Sequence, residues 1–357
     1  MLSQRLRRLT PYVPGEQPQD RQYLKLNTNE CPYPPTPRIQ AYLQEAVAER
    51  LRLYPDPRMA LLRQAIARHH GLEPDQVFTG NGSDEVLSFC FYAFFSAELG
   101  LLRFPEHTYS FYPVYCDFYG IAFERVPLGA DFAVDLDGLC GKERPAGGAI
   151  FANPNAPTGH LLAPEAVDAF LERFPADRVV VVDEAYVDFG GRSVIGLLGR
   201  HPNLLVTRTF SKSLALAGLR LGYALGAPAL IAALFAVKDS FNSYPLDHLT
   251  QQIGAIAIGD ADYYRDITGR VARTRERFSR ALTDVGWRVL PSSANFVFAA
   301  RPGLAGAAIY GALKQEGILV RHFAHRGIED FVRITIGTDA QMDRLLSTMG
   351  RLWGSRG

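Results

Sequence analysis

Cysteine is scarce. Cys31, Cys90, Cys116 and Cys140 are the four in 357 residues, far apart and without a CxxC pair. That spacing offers no disulfide framework and no metal ligand set, and it fits free thiols in a reducing compartment. Charge of one sign is also missing, with 38 basic against 37 acidic side chains. A near-neutral chain has no general attraction for nucleic acid or an anionic membrane, although a local cationic pocket remains open to it. No apolar run is long enough to span a bilayer. The arginines near the N-terminus lead into no apolar stretch of signal-peptide type. There is no internal repeat and no low-complexity tract. These absences predict a soluble, cytoplasmic, globular protein without a metal, and 47% hydrophobic and 21% charged residues are ordinary for one. The length suits a large domain with a smaller one.

Along the chain, residues 1–37 are rich in Pro, Gln, Asn and Tyr and lack helical periodicity. They predict an extended N-terminal arm laid over the small domain or a partner subunit. Ile39 to Leu51 has helical spacing, and Tyr54-Pro-Asp-Pro then breaks the chain. From Met59 helices and strands alternate: strands near Gln76–Thr79, Leu99–Phe104, Ile121–Pro127, Ala149–Ala152, Arg178–Val182, Leu204–Thr207 and Leu219–Leu225, with helices between several of them, including Glu85–Phe95 and Tyr109–Tyr119. Such alternation predicts an α/β fold with a mostly parallel sheet covered on both faces, over residues 38–245. After Pro245 long helical patterns and short strands (Arg288–Leu290, Asn295–Ala299, Ile318–Phe323, Phe331–Ile336) predict a small α+β domain over 246–357.

Four stretches carry candidate chemistry. The apolar run from Leu204 ends in Thr209, Phe210, Ser211 and Lys212, with Arg220 eight residues beyond. A lysine just past a buried strand can lose its proton by desolvation and condense with a carbonyl, while the hydroxyls and guanidinium gather around a phosphate. Asp183 follows the run RVVVV, where a carboxylate is costly unless a cation meets it; the pyridinium nitrogen of pyridoxal 5′-phosphate (PLP) is such a cation. Tyr186, three residues on, and Asn155, in the turn Asn153-Pro-Asn-Ala-Pro-Thr-Gly, have groups suited to the phenolic oxygen of that cofactor. Gly80-Asn-Gly-Ser-Asp-Glu opens a helix and points the N–H groups of Ser83, Asp84 and Glu85 at an anion. Tyr109 has a flat face that can stack on a pyridine ring, although an aromatic-rich helix is more often core. Each signal alone has a plain alternative: a solvated lysine, a capping aspartate, an ordinary turn. Together they describe PLP held as a Schiff base on Lys212.

In this order, GNGSDE, NPNAPTG, VVDEAY and TFSKSLALAGLRLG resemble the PLP-dependent aminotransferases of fold type I. The outer motifs, Leu9-Thr-Pro-Tyr-Val-Pro-Gly-Glu-Gln-Pro, Leu26-Asn-Thr-Asn-Glu, Tyr54-Pro-Asp-Pro, Ser293-Ala-Asn-Phe-Val and Val332-Arg-Ile-Thr-Ile-Gly-Thr, are similar to the histidinol-phosphate aminotransferase family. The resemblance implies that Lys212 holds the cofactor and shuttles a proton, Asp183 pairs with the ring nitrogen, Tyr186 and Asn155 meet the phenolic oxygen, and Tyr109 stacks on the ring. It implies a phosphate site of Ser83, Asp84, Thr209, Ser211 and Arg220, completed by Tyr54 from the other subunit of a homodimer. Tyr12, Arg321 and Arg333 would bind substrate anions, the carboxylate of glutamate and the phosphate of the other substrate. Ala156 departs from the second asparagine common at that position, and Cys31-Pro-Tyr-Pro-Pro from the commoner Asn-Pro-Tyr-Gly, in a segment that bears on substrate preference. Aromatic amino-acid aminotransferases and threonine-phosphate decarboxylases share much of the pattern. A non-catalytic aminotransferase-like module of a transcription regulator would need a DNA-binding domain, for which the arm is too short.

Overall fold

The computed structural model describes residues 6, 9–12, 15–44, 48–141 and 146–354. After a short strand β1 (Leu24–Lys25), seven strands form one sheet: β2 (Val77–Asn81), β3 (Leu102–Pro105), β4 (Phe123–Val126), β5 (Gly148–Ala152), β6 (Val180–Asp183), β7 (Leu204–Thr209) and β8 (Leu221–Gly226), in the order β2-β8-β7-β6-β5-β3-β4. All neighbours are parallel except where β8 runs against β2 and β7. The central strands β5 to β8 are buried at every position. Their near-continuous apolar runs are what a strand covered on both faces requires.

The register decides where chemistry collects. Ala152, the last residue of β5, stands opposite Asp183, the last of β6, and Asp183 opposite Thr207 in β7. Thr209 in turn faces Gly222 of β8, which faces Gly80 of β2. The turns after β2, β5, β6 and β7 therefore emerge along one edge, where open α/β sheets bind ligands.

A second, four-stranded antiparallel sheet contains β9 (Arg288–Val289), β10 (Phe296–Ala300), β12 (Arg321–His322) and β13 (Phe331–Thr335), in the order β12-β13-β10-β9. Helices Ala261–Asp284, Gly306–Gln315 and Asp339–Trp353 pack on it around an apolar core of its own, with Phe278, Phe296, Ile309, Ile334 and Leu345. β1 pairs in parallel with β11 (Ile318–Leu319), and Thr335 donates its N–H to Leu26 O at 3.0 Å. This part of the arm is thus bound to the C-terminal sheets of its own chain. Among the described residues, no helix is long and apolar enough to cross a membrane.

Several elements differ from the expectation. The stretch Ile318–Phe323 is two strands, because β11 pairs with β1 whereas β12 pairs with β13. Helix Pro228–Phe241 was not expected: its sequence, PALIAALFAVKDSF, is apolar almost all round and so shows little amphipathic period. The first helix spans Pro37–Gln44 and a 3₁₀ turn Ala48–Arg52 follows, with residues 45–47 outside the described residues. The helix expected from Tyr109 begins at Tyr112, which leaves Tyr109 in the turn after β3.

Gly222 marks the tightest joint between sheet and helix Gly82–Phe94. A Cβ there would lie 2.4 Å from Ser83 N and 2.6 Å from Gly82 C, backbone atoms that cannot swing aside. Gly222→Ala is expected to destabilise the protein by about 1–3 kcal/mol through overpacking. A thermal midpoint equal to that of the parent protein would refute this.

Candidate active site

Lys212 lies where two cavities meet. The larger, about 390 Å³, is lined by Ser83, Asp84, Asp183, Thr209, Ser211 and Arg220 among others. The smaller, about 160 Å³, is lined by Tyr12, Asn29, Arg321 and Arg333. Tyr109, Ala156, Tyr186 and Lys212 line both.

Lys212 follows β7 by three residues, and its Nζ donates to Thr28 O at 3.0 Å. Burial, with the Arg333 cation in support, holds its pKa down at about 8. Asp183 ends β6 and is buried. The Ala185 N–H donates to its Oδ1 at 3.1 Å and the Tyr112 hydroxyl to its Oδ2 at 3.2 Å. Both donors are neutral, so burial still pushes its pKa up to about 6. A buried carboxylate with no ion-pair partner among the described residues, on the wall of a cavity, fits a pyridinium nitrogen. The Tyr186 hydroxyl accepts from Asn29 Nδ2 at 2.9 Å, and its ring packs edge-on against Phe296.

The phosphate end of the larger cavity is built by close backbone approach. Gly82 opens helix Gly82–Phe94 with φ at 81°, and a Cβ there would come within 2.6 Å of Arg220 Nη2. The guanidinium therefore rests against the start of that helix, beside Ser83 and Asp84. Arg220 Nη2 also donates to Asp84 Oδ2 at 3.0 Å, and the Tyr109 hydroxyl to Asp84 Oδ1 at 2.7 Å. Thr209 Oγ1 accepts the Ser211 N–H at 3.1 Å. N–H groups, two hydroxyls and an arginine at one end, a buried carboxylate and a lysine at the other: this donor set fits PLP.

The smaller cavity has a feature that register alone creates. Arg321 of β12 and Arg333 of β13 are direct cross-strand partners. Like charges directly opposite one another oppose sheet formation. Arg333 Nη2 donates to Asn27 O at 3.2 Å, yet its Nε is buried without a hydrogen-bond partner among the described residues, and burial, with the Arg321 charge in support, lowers its pKa. Two guanidinium groups so placed call for an anion between them. Tyr12 also lines this cavity, its ring 4.6 Å from that of Phe111; residues 13 and 14 of its motif lie outside the described residues.

Two expected residues stand apart. Asn155 lines neither cavity. Its Oδ1 accepts from Thr108 Oγ1 at 2.9 Å, and its Nδ2 donates to His107 O at 2.9 Å and Thr158 Oγ1 at 3.0 Å. The amide is thus spent on tying the turn that carries Tyr109 to the turn after β5. Tyr54 is 83% exposed and stacks on Tyr244, with ring centroids 4.7 Å apart, away from both cavities of its own chain. Sequence reasoning missed Tyr112, hidden in an aromatic-rich stretch, and Asn29. The signal for Asn29 was its motif, Asn27-Thr-Asn-Glu, whose tight backbone puts Asn29 at φ 56°.

The family profile of aminotransferase class I and II matches residues 21–349. A histidinol-phosphate aminotransferase of Syntrophus aciditrophicus is 58% identical over 99% of this chain and 98% of its own. A histidinol-phosphate aminotransferase 2 of Thiobacillus denitrificans is 53% identical over 96% of this chain and 95% of its own. The crystal structure of histidinol-phosphate aminotransferase from Sinorhizobium meliloti in complex with pyridoxal-5′-phosphate superposes with a TM-score of 0.88, at 28% identity, covering 99% of this chain and 98% of that one.

The lowered pKa of Lys212 is directly measurable in cofactor-free protein. A base with a depressed pKa is neutral above it, so labelling of Lys212 by an amine acylating reagent should rise with pH through a midpoint at about 8. A midpoint near 10.4, the usual lysine value, would show that the amine is solvated.

Proposed function

The chain belongs to the aminotransferase class I and II family, and on that premise we propose that it moves the amino group of L-histidinol phosphate to 2-oxoglutarate, giving imidazole-acetol phosphate and L-glutamate. The observation that carries the choice of substrate is the cross-strand pair Arg321 and Arg333 beside Lys212. The pair suits a phosphate dianion in one half-reaction and a carboxylate in the other. Guanidinium groups grip both by parallel hydrogen bonds.

When bound, PLP supplies the electron sink that acidifies the substrate Cα–H. Asp183, ionised, holds its charge against the ring nitrogen. Ser83, Asp84, Thr209, Ser211 and Arg220 hold the phosphate, Tyr109 covers the ring, and Tyr186 meets the phenolic oxygen. Asn155 acts at one remove, by fixing the turn before Tyr109. Lys212 Nζ, kept short of protons, takes the proton from substrate Cα and gives it back in the reverse direction. Arg321, Arg333 and Tyr12 anchor the far end of the substrate, so that its Cα–H is presented to Lys212.

The same reading makes the enzyme a cytoplasmic homodimer in which Tyr54 of a second copy completes the phosphate site. The exposure of Leu51, Leu53, Tyr54 and Phe241 supports such an interface. It also divides the chain into the arm 1–37, a large PLP-binding domain 38–245 and a small domain 246–357. The separate apolar cores of the seven-stranded and four-stranded sheets support two units, although Leu246, Ile253, Ala257, Ile258 and Ile267 pack in the first core, which therefore reaches past residue 246.

Initial rates at several fixed 2-oxoglutarate concentrations should give parallel double-reciprocal lines, the mark of a ping-pong enzyme; intersecting lines would exclude that order. Turnover of histidinol phosphate should exceed that of phenylalanine and of threonine phosphate. A phenylalanine preference of roughly a hundredfold, about 2.7 kcal/mol, would move the assignment to an aromatic aminotransferase. Lys212→Ala should fold and dimerise, yet borohydride should leave no cofactor fixed on it; normal turnover by this variant would end the reading.

A further inference from the structure

Behind the seven-stranded sheet, a cavity of about 240 Å³ is lined by Glu184, Asp188, Arg208, Thr209, Ser213 and Tyr223 among others. Side chains alternate along a strand. Asp183 lines the cleft and Thr209 lines both spaces, whereas their neighbours Arg208 and Glu184 line the second cavity and not the cleft. Both are buried. Glu184 is already committed: its Oε1 accepts the Val194 N–H at 2.7 Å and its Oε2 the Ser193 hydroxyl at 2.6 Å, with Arg208 Nε at 3.3 Å.

Asp188 differs in what it connects. Its Oδ1 accepts from Arg208 Nη2 at 3.0 Å and its Oδ2 from the Ser213 hydroxyl at 2.6 Å. Arg208 precedes Thr209 and Ser213 follows Lys212. One carboxylate therefore grips the chain on both sides of the lysine, from the face of the sheet opposite the cleft. Buried or half-buried ion pairs contribute little net stability compared with apolar packing of the same volume. Their value is geometric: a fixed arginine and a hydroxyl at 2.6 Å leave the intervening backbone little freedom.

We propose that Asp188 is a positioning residue, which acts through Ser213 and Arg208 to hold the Thr209–Lys212 segment so that the lysine amine projects into the cleft. The inference rests on the reading that Lys212 carries the cofactor. An amine displaced by about an ångström still condenses with an aldehyde but transfers protons poorly, which separates this role from cofactor binding.

The test compares PLP-loaded Ser213→Ala, Ser213→Thr and Asp188→Asn with the parent enzyme. In Ser213→Ala, kcat per bound cofactor should fall roughly tenfold while KM for the amino donor stays within about twofold. The pH midpoint of the bound cofactor's visible absorption should shift as well. Ser213→Thr, which keeps the hydroxyl, should restore both. The double variant Asp188→Asn/Ser213→Ala should be no slower than Asp188→Asn alone, since both remove one linkage. Parent-like kcat and absorption midpoint in Ser213→Ala would overturn the proposal. So would a loss explained wholly by a lower melting temperature or lower cofactor occupancy, and these readings hold even if Asp188→Asn does not fold. Absence of borohydride-fixed cofactor on Lys212 of the parent enzyme would instead remove the reading of the site, and the positioning role with it.

Discussion

A lysine amine that must be neutral near physiological pH has to be kept from water, and the arrangement of the chain around Lys212 answers that demand. A strand end alone would leave the amine solvated. Here β7 delivers it to the cleft edge, the Asn27–Asn29 segment of the arm closes over it with the Thr28 carbonyl, and Tyr186 lies beneath it. Arg333, from the C-terminal sheet, adds a like charge that disfavours the protonated form. Three parts of the sequence, the arm, the end of β7 and β13, thus meet on one nitrogen. The arm can do this because it is anchored: β1 pairs with β11, and Asn29 is tied to Tyr186, Thr335 and Asn295.

The sequence made the strand ends legible because buried parallel strands are written as unbroken apolar runs, and the residue that ends such a run stands out. Asp183, Lys212 and the Gly80 turn were visible for that reason. Register is not written so plainly. That Arg321 and Arg333 face each other follows only from the pairing of β12 with β13, and the expected single strand Ile318–Phe323 conceals it. Tyr112 is one aromatic among six in eleven residues, and only the fold shows that its hydroxyl reaches Asp183. Asn155 shows how a turn residue's partners are set by the fold. The turn chemistry was recognised, but its amide is bonded to the neighbouring turn, so it supports Tyr109 from behind the wall.

The charges of the site are organised in pairs of opposite character along the cleft. At the phosphate end, Arg220 is already held by Asp84, which is held in turn by Tyr109. A carboxylate beside an anion site looks unfavourable, and in isolation it would be. It neutralises Arg220 in part, but it also fixes an exposed and otherwise mobile side chain over the helix N-terminus. Ordering a rotamer-rich side chain on binding costs about 0.5–1.5 kcal/mol, and Asp84 removes much of that cost in advance. On the proposed function, the remaining attraction for phosphate comes from the N–H groups of the first helical turn and the hydroxyls of Thr209 and Ser211, none of which Asp84 cancels.

At the substrate end the logic is reversed. Arg321 and Arg333 are like charges set directly across from each other, and the Nε of Arg333 has no hydrogen-bond partner among the described residues. The strain is tolerated because β12 and β13 are locked by the core behind them, with Val332 and Ile334 buried. On the proposed function, a substrate anion relieves the repulsion and gives the Arg333 Nε an acceptor, so its binding energy is concentrated far from the reacting carbon. Binding energy realised at a remote anion serves to hold Cα in place beside Lys212. On the proposed function, one end of the cleft holds its anion permanently, with a counter-charge built in, while the Arg321 and Arg333 end exchanges a phosphate for a carboxylate in every cycle and pairs two like charges across the strands for that purpose.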